Sequence, residues 1–173
     1  MQLLLVRHAI AADRVEFAQG GQPDSQRPLV EKGVRRMTKG AAALYRMVPD
    51  LSLLASSPLV RAVATADLIA QAYGKRGVTP QRMEMDLLAP DVPVEELAAW
   101  VLARPDDSCS ALVGHEPGLS ILLSRLTCGG GLGWFRFKKG GAVLLERQES
   151  GAMQLVWALA PRQLRSLGVG GEV

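Results

Sequence analysis

The chain has two histidines, and each stands at the end of an apolar run. Leu3-Leu4-Leu5-Val6 leads into Arg7 and His8. Ser110-Ala111-Leu112-Val113-Gly114 leads into His115. A third run, residues 51–56, ends in Ser57-Pro58, with Arg61 three residues on. An imidazole can act as base or nucleophile near neutral pH. An arginine offers a rigid fork of donors that matches phosphate oxygens two at a time. If the three runs are parallel strands, Arg7, His8, Arg61 and His115 meet at the carboxyl edge of one sheet, where open α/β folds bind ligands. Two guanidinium groups and two imidazoles around one pocket would form an oxyanion clamp. The neighbouring positive charge would hold a histidine neutral and nucleophilic.

The elements that position these residues follow from the apolar pattern. Short unbroken apolar runs suit strands covered on both faces. Residues 10–27 read as a long polar loop with Gly20-Gly21, Pro23, Asp24 and Ser25 as turn residues. Pro28 is expected to open a helix whose stripe is Val34, Met37, Ala41, Leu44 and Val48, closed by Pro49. Arg27 just before it is read as a solvated loop arginine unless an anion lies near. Ser57 is a candidate N-cap, with Pro58 the first helical residue. The expected inward face of that helix is Leu59, Val63, Ala66, Ile69, Ala70 and Tyr73, with Arg61 and Thr65 on the other side. Residues 82–86 are a candidate strand and 94–103 a short helix with Leu97, Trp100 and Val101 inward. Glu116-Pro117-Gly118 opens a helix with Leu119, Leu122, Leu123 and Leu126 as its stripe. Residues 134–137 read as a short strand. Residues 142–147 and 153–158 read as a strand pair around Glu149-Ser150-Gly151. One helical turn is expected after Pro161, with 168–171 fraying.

With 173 residues, 48% of them hydrophobic, the chain suits one domain, 1–173, with a full core. The formal charge of +3 is mild, and no Lys/Arg run is interleaved with aromatics, so nucleic acid is not an expected partner. No segment has the length and apolarity to span a membrane, and no signal-peptide pattern opens the chain. A cytoplasmic protein is expected. Cys109 and Cys128 have no redox or zinc-ribbon spacing and are expected to be reduced and buried. Two histidines cannot build a three-histidine metal site. Neither metal nor other cofactor is expected. Gly129-Gly130-Gly131 lacks the order of a dinucleotide fingerprint.

Arg7-His8-Ala9, the block Ser56-Ser57-Pro58-Leu59-Val60-Arg61-Ala62-Val63-Ala64-Thr65-Ala66, and Val113-Gly114-His115-Glu116-Pro117 together resemble the three signature blocks of the histidine phosphatase, or phosphoglycerate mutase-like, superfamily. The likeness extends over roughly the first 120 residues. The short length, Arg27-Pro28-Leu29 before a helix carrying Lys32-Gly33, and the absence of a large cap resemble its small phosphohistidine phosphatases. The resemblance implies a three-layer α/β/α sandwich whose mostly parallel sheet ends in an antiparallel strand pair. It implies His8 as the phosphorylated nucleophile, with Arg7, Arg61 and His115 on the phosphoryl group, and Arg27 and Ser57 as further phosphate-binding candidates. Many members carry an acidic proton donor after the third strand. Asp86 and Asp91 lie there, but each reads better as a solvated turn carboxylate; Glu116, Asp13 and Glu16 are other candidates. The implied activity is metal-independent hydrolysis of phosphohistidine on a phosphorelay or phosphotransfer protein. The alternatives are a phosphomonoesterase or mutase acting on a small phosphorylated molecule, and a phosphate- or phosphoprotein-binding module without turnover.

Overall fold

The computed structural model describes residues 1–130 and 134–168. Six strands form one sheet: β1 (Gln2–Arg7), β2 (Leu53–Ser56), β3 (Gln81–Glu84), β4 (Cys109–Gly114), β5 (Ala142–Arg147) and β6 (Met153–Leu159), in the order β3-β2-β4-β1-β5-β6. The first four are mutually parallel. β5 runs antiparallel to β1, and β6 antiparallel to β5. The α/β class and the antiparallel C-terminal pair are as expected.

Period-two alternation along β1 sorts its side chains into two cores. Leu4 and Val6 face α2 (Glu31–Met47), α3 (Val60–Gly74) and α6 (Pro161–Gly168), packing with Leu44, Ile69, Tyr73 and Leu164. Leu3 and Leu5 face α4 (Val94–Leu102) and α5 (Gly118–Cys128), packing with Leu97, Val101, Leu122 and Leu123. The sheet is thus covered on both sides, which is why its central strands are apolar throughout.

Several boundaries differ from the sequence reading. Residues 10–27 are not all loop. α1 (Arg14–Gln19) forms because the Asp13 side chain accepts from the amides of Val15 and Glu16, and a 3-10 turn spans Asp24–Gln26. α2 begins at Glu31 rather than Pro28, because Leu29 bridges Ala11. Val34 is exposed, and the inward face is built on Gly33, Met37, Gly40, Ala41 and Leu44. A methyl group at Gly33 would collide with the Ile10 carbonyl, so only glycine lets α2 lie against the segment after β1. Residues 134–137 form no strand. α6 is two turns long rather than one. Of the cysteines, Cys109 is buried but Cys128 is exposed at the end of α5. The expected fraying at 168–171 falls mostly outside the described residues. No described helix is long and apolar enough to cross a membrane.

Candidate active site

Parallel register brings the site together. Arg7 pairs with Gly114 and Ser56 with Val113, so β1, β2 and β4 stop level and pass His8, Ser57 and His115 to one edge. The exits are pinned by main-chain bonds from His8 N to Gly114 O (3.0 Å) and from Ser57 N to Val113 O (3.0 Å). The two imidazoles lie 5.0 Å apart, centroid to centroid, and both are buried.

The His8 ring donates from Nδ1 to the Ala9 carbonyl at 2.8 Å. A carbonyl can only accept, so the proton sits on Nδ1 and the lone pair on Nε2. Burial, then the adjacent His115, then Arg61 and Arg7 push the His8 pKa down to about 3. The ring is neutral with a free lone pair at neutral pH. Desolvation leads here; neighbouring charge, the cause expected from the sequence, comes second. His115 is pushed down to about 4 by burial and by Arg61. Its Nε2 lies 2.9 Å from Ser57 Oγ.

Ser57 is therefore not the helix cap expected of it. α3 starts at Val60, its N-cap position is Leu59, and Ser57 is fully buried between the Leu59 amide and His115. The buried face of α3 is also displaced from the expected one, although Ala66, Ile69 and Tyr73 belong to both. Arg61 and Thr65, expected on the outer face, are buried with Ala62, Ala66, Ile69 and Tyr73. Thr65 Oγ1 accepts from the Ala9 amide (3.0 Å) and donates to the Arg61 carbonyl (2.6 Å), tying the first turns of α3 to the exit of β1.

Arg27, expected to be solvated, is buried as well. Asp24 draws it in. One carboxylate oxygen accepts from Arg27 Nε at 2.9 Å and the other pairs with Arg61 Nη2 at 2.9 Å. Arg27 Nη1 is held by the Ala12 carbonyl and Arg61 Nη1 by the Asp24 carbonyl. Burial raises the Asp24 pKa, but the Arg27 hydrogen bond and the charges of Arg61 and Arg27 outweigh it and hold the carboxyl below its usual range.

Arg7 donates from Nη1 to the Phe137 carbonyl at 2.6 Å, and Phe137 N donates to Glu116. The other Glu116 oxygen accepts from Ser120 Oγ at 2.7 Å. The segment 137–141 thus lies across the site. Gly140 N reaches the carbonyls of both Arg7 and His8, with Gly140 at φ +78°. Burial and the fields of Arg7, Arg27 and Arg61 lower the pKa of Lys139. Arg7 Nε, Arg61 Nε and His115 Nδ1 are buried with no hydrogen-bond partner among the described residues. Nitrogens of this kind await an acceptor.

The structure therefore brings together Arg7, His8, Arg27, Ser57, Arg61 and His115. It does not bring Asp86 into the group: Asp86 is exposed at the start of a 3-10 turn, Asp86–Leu88. Asp91 is exposed at φ +68°, on the rim of an adjoining cavity of about 380 Å³ that reaches His115 and Glu116. Asp13 is occupied as the cap of α1, and Glu16 lies exposed on that helix. Sequence reasoning missed Asp24, Thr65, Phe137 and Lys139. In the sequence Asp24 reads only as a turn residue, although a carboxylate three residues before Arg27 is a pairing signal.

Neutral imidazoles ringed by guanidinium groups at the carboxyl edge of a mostly parallel, doubly covered sheet make an α/β site chemically able to hold an anion beside a ring nitrogen with a free lone pair. The sequence profile of the histidine phosphatase superfamily (branch 1) matches residues 3–88. The chain belongs to that superfamily. An uncharacterised protein of Picosynechococcus sp. is 34% identical over 158 residues, covering 90% of this chain and 88% of its own. In fold, the chain is similar to the protein histidine phosphatase SixA complexed with tungstate, at a TM-score of 0.80 and 22% identity, over 95% of this chain and 99% of that one. It is also similar to a phosphoserine phosphatase from Entamoeba histolytica in complex with 3-phosphoglyceric acid. There the TM-score is 0.66 and identity 15%, over 94% and 98% of the two chains.

Proposed function

We propose that residues 1–173 form one SixA-like phosphohistidine phosphatase domain, acting on a phosphorelay or phosphotransfer protein. The carrying observation is the His8–Ala9 hydrogen bond, which leaves a neutral ring with its lone pair on Nε2. That lone pair attacks phosphorus in line. A bond forms from His8 Nε2 to phosphorus as the bond from phosphorus to the substrate's imidazole breaks. Arg7, Arg61 and His115 stabilise the equatorial oxygens, with Arg27 and Ser57 next to them. Water then attacks phosphorus, the His8–phosphorus bond breaks, and inorganic phosphate leaves. The Glu116 carboxylate has both oxygens engaged, which supports a leaving group needing little help from a carboxylic acid. An imidazole is such a group, since its conjugate acid has a pKa of about 6.5. An alkoxide is not.

The reaction is read as metal-independent. The described residues contain no group of three or more His, Cys, Asp and Glu side chains able to hold a metal ion, and the arginines supply the positive charge. Two unpaired cysteines suit a reducing cytoplasm.

The cavity reaching His115 favours a second reading. At about 380 Å³, lined by Leu88, Val94, Leu97 and Leu119 with Asp91 and Glu95 among its polar residues, it has the size of a small-molecule site. The chain would then be a phosphomonoesterase, with one of those carboxylates as proton donor.

The deciding experiment is a substrate panel of phosphohistidine peptide, aryl phosphate and 3-phosphoglycerate, run with wild type, Asp91→Asn and Glu95→Gln. Phosphohistidine preferred, with both variants near wild type, is the expected result. Efficient 3-phosphoglycerate turnover that collapses in either variant would establish the second reading. Phosphate binding without turnover of any substrate would leave a binding module.

A further inference from the structure

Away from the strand ends, α2 and α6 meet around an open depression of about 490 Å³. Among the described residues its lining is Arg35, Arg36, Lys39, Arg162, Arg165 and Ser166, five cations and no acid. Among the described residues none of the five makes an ion pair. The cations recur at helical spacing, 35, 36 and 39 on α2 and 162 and 165 on α6, so two neighbouring helices turn the same charge toward one groove. Glycines at the helix contact allow this. Gly40 lies against Leu164, and a methyl group at Gly168 would collide with the Lys39 carbonyl.

The patch is continuous with the site. Arg36 also lines a small cleft with Ala9, Met37 and Lys139, and Lys139 lies in the field of Arg7, Arg27 and Arg61. A basic path therefore runs from the residue after His8, through Lys139 and Arg36, onto the α2–α6 face. Asp13 is the carboxylate acting on Lys139 along it. Like charges set side by side are mutually unfavourable, and they mark a surface meant for a polyanionic partner.

We infer that the α2–α6 face docks an acidic protein segment flanking the phosphorylated residue of the substrate. This inference rests on the phosphatase reading. Carboxylates on a partner chain match a wide row of separate cations. Among the described residues the groove offers no aromatic ring on which a nucleic-acid base could stack. Surface charge of this kind acts through encounter and affinity, so it belongs in KM rather than kcat and fades with salt.

Two phosphohistidine peptides of about 25 residues, extended length about 80 Å, would be compared. One carries Asp and Glu on both flanks, the other Gln. The enzymes are wild type and the triple variant Arg35→Glu/Lys39→Glu/Arg162→Glu. For wild type at low salt, kcat/KM should be at least tenfold higher on the acidic peptide, the difference lying in KM. In the triple variant the preference should vanish or invert, with the Gln peptide and aryl phosphate within about twofold of wild type. Fluorescence anisotropy with the unphosphorylated acidic peptide gives a readout free of catalysis, and the variant should bind at least tenfold more weakly. An acidic-to-neutral ratio near one in wild type, or a ratio untouched by the triple variant, overturns the inference. Single-stranded RNA that binds the patch in preference to the acidic peptide overturns it in favour of nucleic acid. No turnover of the Gln phosphohistidine peptide by an enzyme that hydrolyses aryl phosphate would refute the phosphohistidine reading alone, with docking still judged by anisotropy.

Discussion

The imidazole of His8 gives its one proton to the carbonyl of its own neighbour, Ala9, at 2.8 Å. The chain itself thus selects the tautomer, without a carboxylate partner. Replacing His8 with Ala removes the only group proposed to bond to phosphorus. Turnover should fall below about a thousandth of wild type. The fold should persist, because the bond from His8 N to Gly114 O belongs to the main chain. Single-turnover labelling with quenching checks this. Label on any residue other than His8 would refute the assignment.

Arg7 and Arg61 are each anchored through Nη1, to the carbonyls of Phe137 and Asp24 respectively, with a buried Nε that has no partner among the described residues. Arg7→Ala or Arg61→Ala should each cost about 2–4 kcal/mol of transition-state stabilisation, by analogy with lost oxyanion donors. Steady-state kinetics on an aryl phosphate give the number. A loss under tenfold would mean the residue does not touch the transferring group.

Asp24 holds Arg27 and Arg61 with its two oxygens, so it competes with any anion for them. Asp24→Asn keeps the shape and removes the charge. The tungstate inhibition constant should fall by about three- to tenfold, equivalent to about 0.7–1.4 kcal/mol. Weaker tungstate inhibition would instead identify Asp24 as the brace that orients Arg61.

Stability should depend on pH through the two imidazoles. Folded, His8 and His115 have pKa values of about 3 and about 4; unfolded, each takes up a proton near pH 6.5. Between pH 6.5 and about 4 the unfolded chain binds more protons, so stability falls as the pH falls. The slope approaches about 1.4 kcal/mol per pH unit for each histidine. Urea unfolding at a series of pH values should give this slope, and His8→Asn should remove about half of it. A flat profile between pH 7 and 5 would contradict the neutral, buried state of both rings.

The parts of the site that were legible in the sequence are those carried by strands. Arg7, His8 and His115 follow unbroken apolar runs, and parallel register then leaves little freedom in where they arrive. Arg61 follows a strand end and so reaches the site, but the helical pattern alone puts it on the outer face. α3 is rich in alanine, so its stripe is weakly marked: Ala66, Ile69 and Tyr73 face inward as expected, but the face extends to Arg61, Ala62 and Thr65 rather than to Leu59 and Val63. Asp24, Phe137 and Lys139 come from segments with no periodicity. Their places depend on pairings such as Arg7 with Phe137, 130 residues apart in sequence, which no local pattern encodes. α1 leaves no apolar stripe in the sequence, because it buries none of its own residues. Its one signal was the capping aspartate.

The sheet order carries a cost in time. β1 is made first, yet its neighbours on either side are β4 and β5, more than a hundred residues later in the chain. At a synthesis rate of about 5–20 residues per second, this strand waits about 5–30 seconds before both edges can be paired. During that interval a ribosome-bound chain presents Leu3-Leu4-Leu5-Val6 as an unprotected β-template. A stretch fully buried in the finished molecule is, while the chain is being made, an aggregation hazard and a natural site for a chaperone to hold.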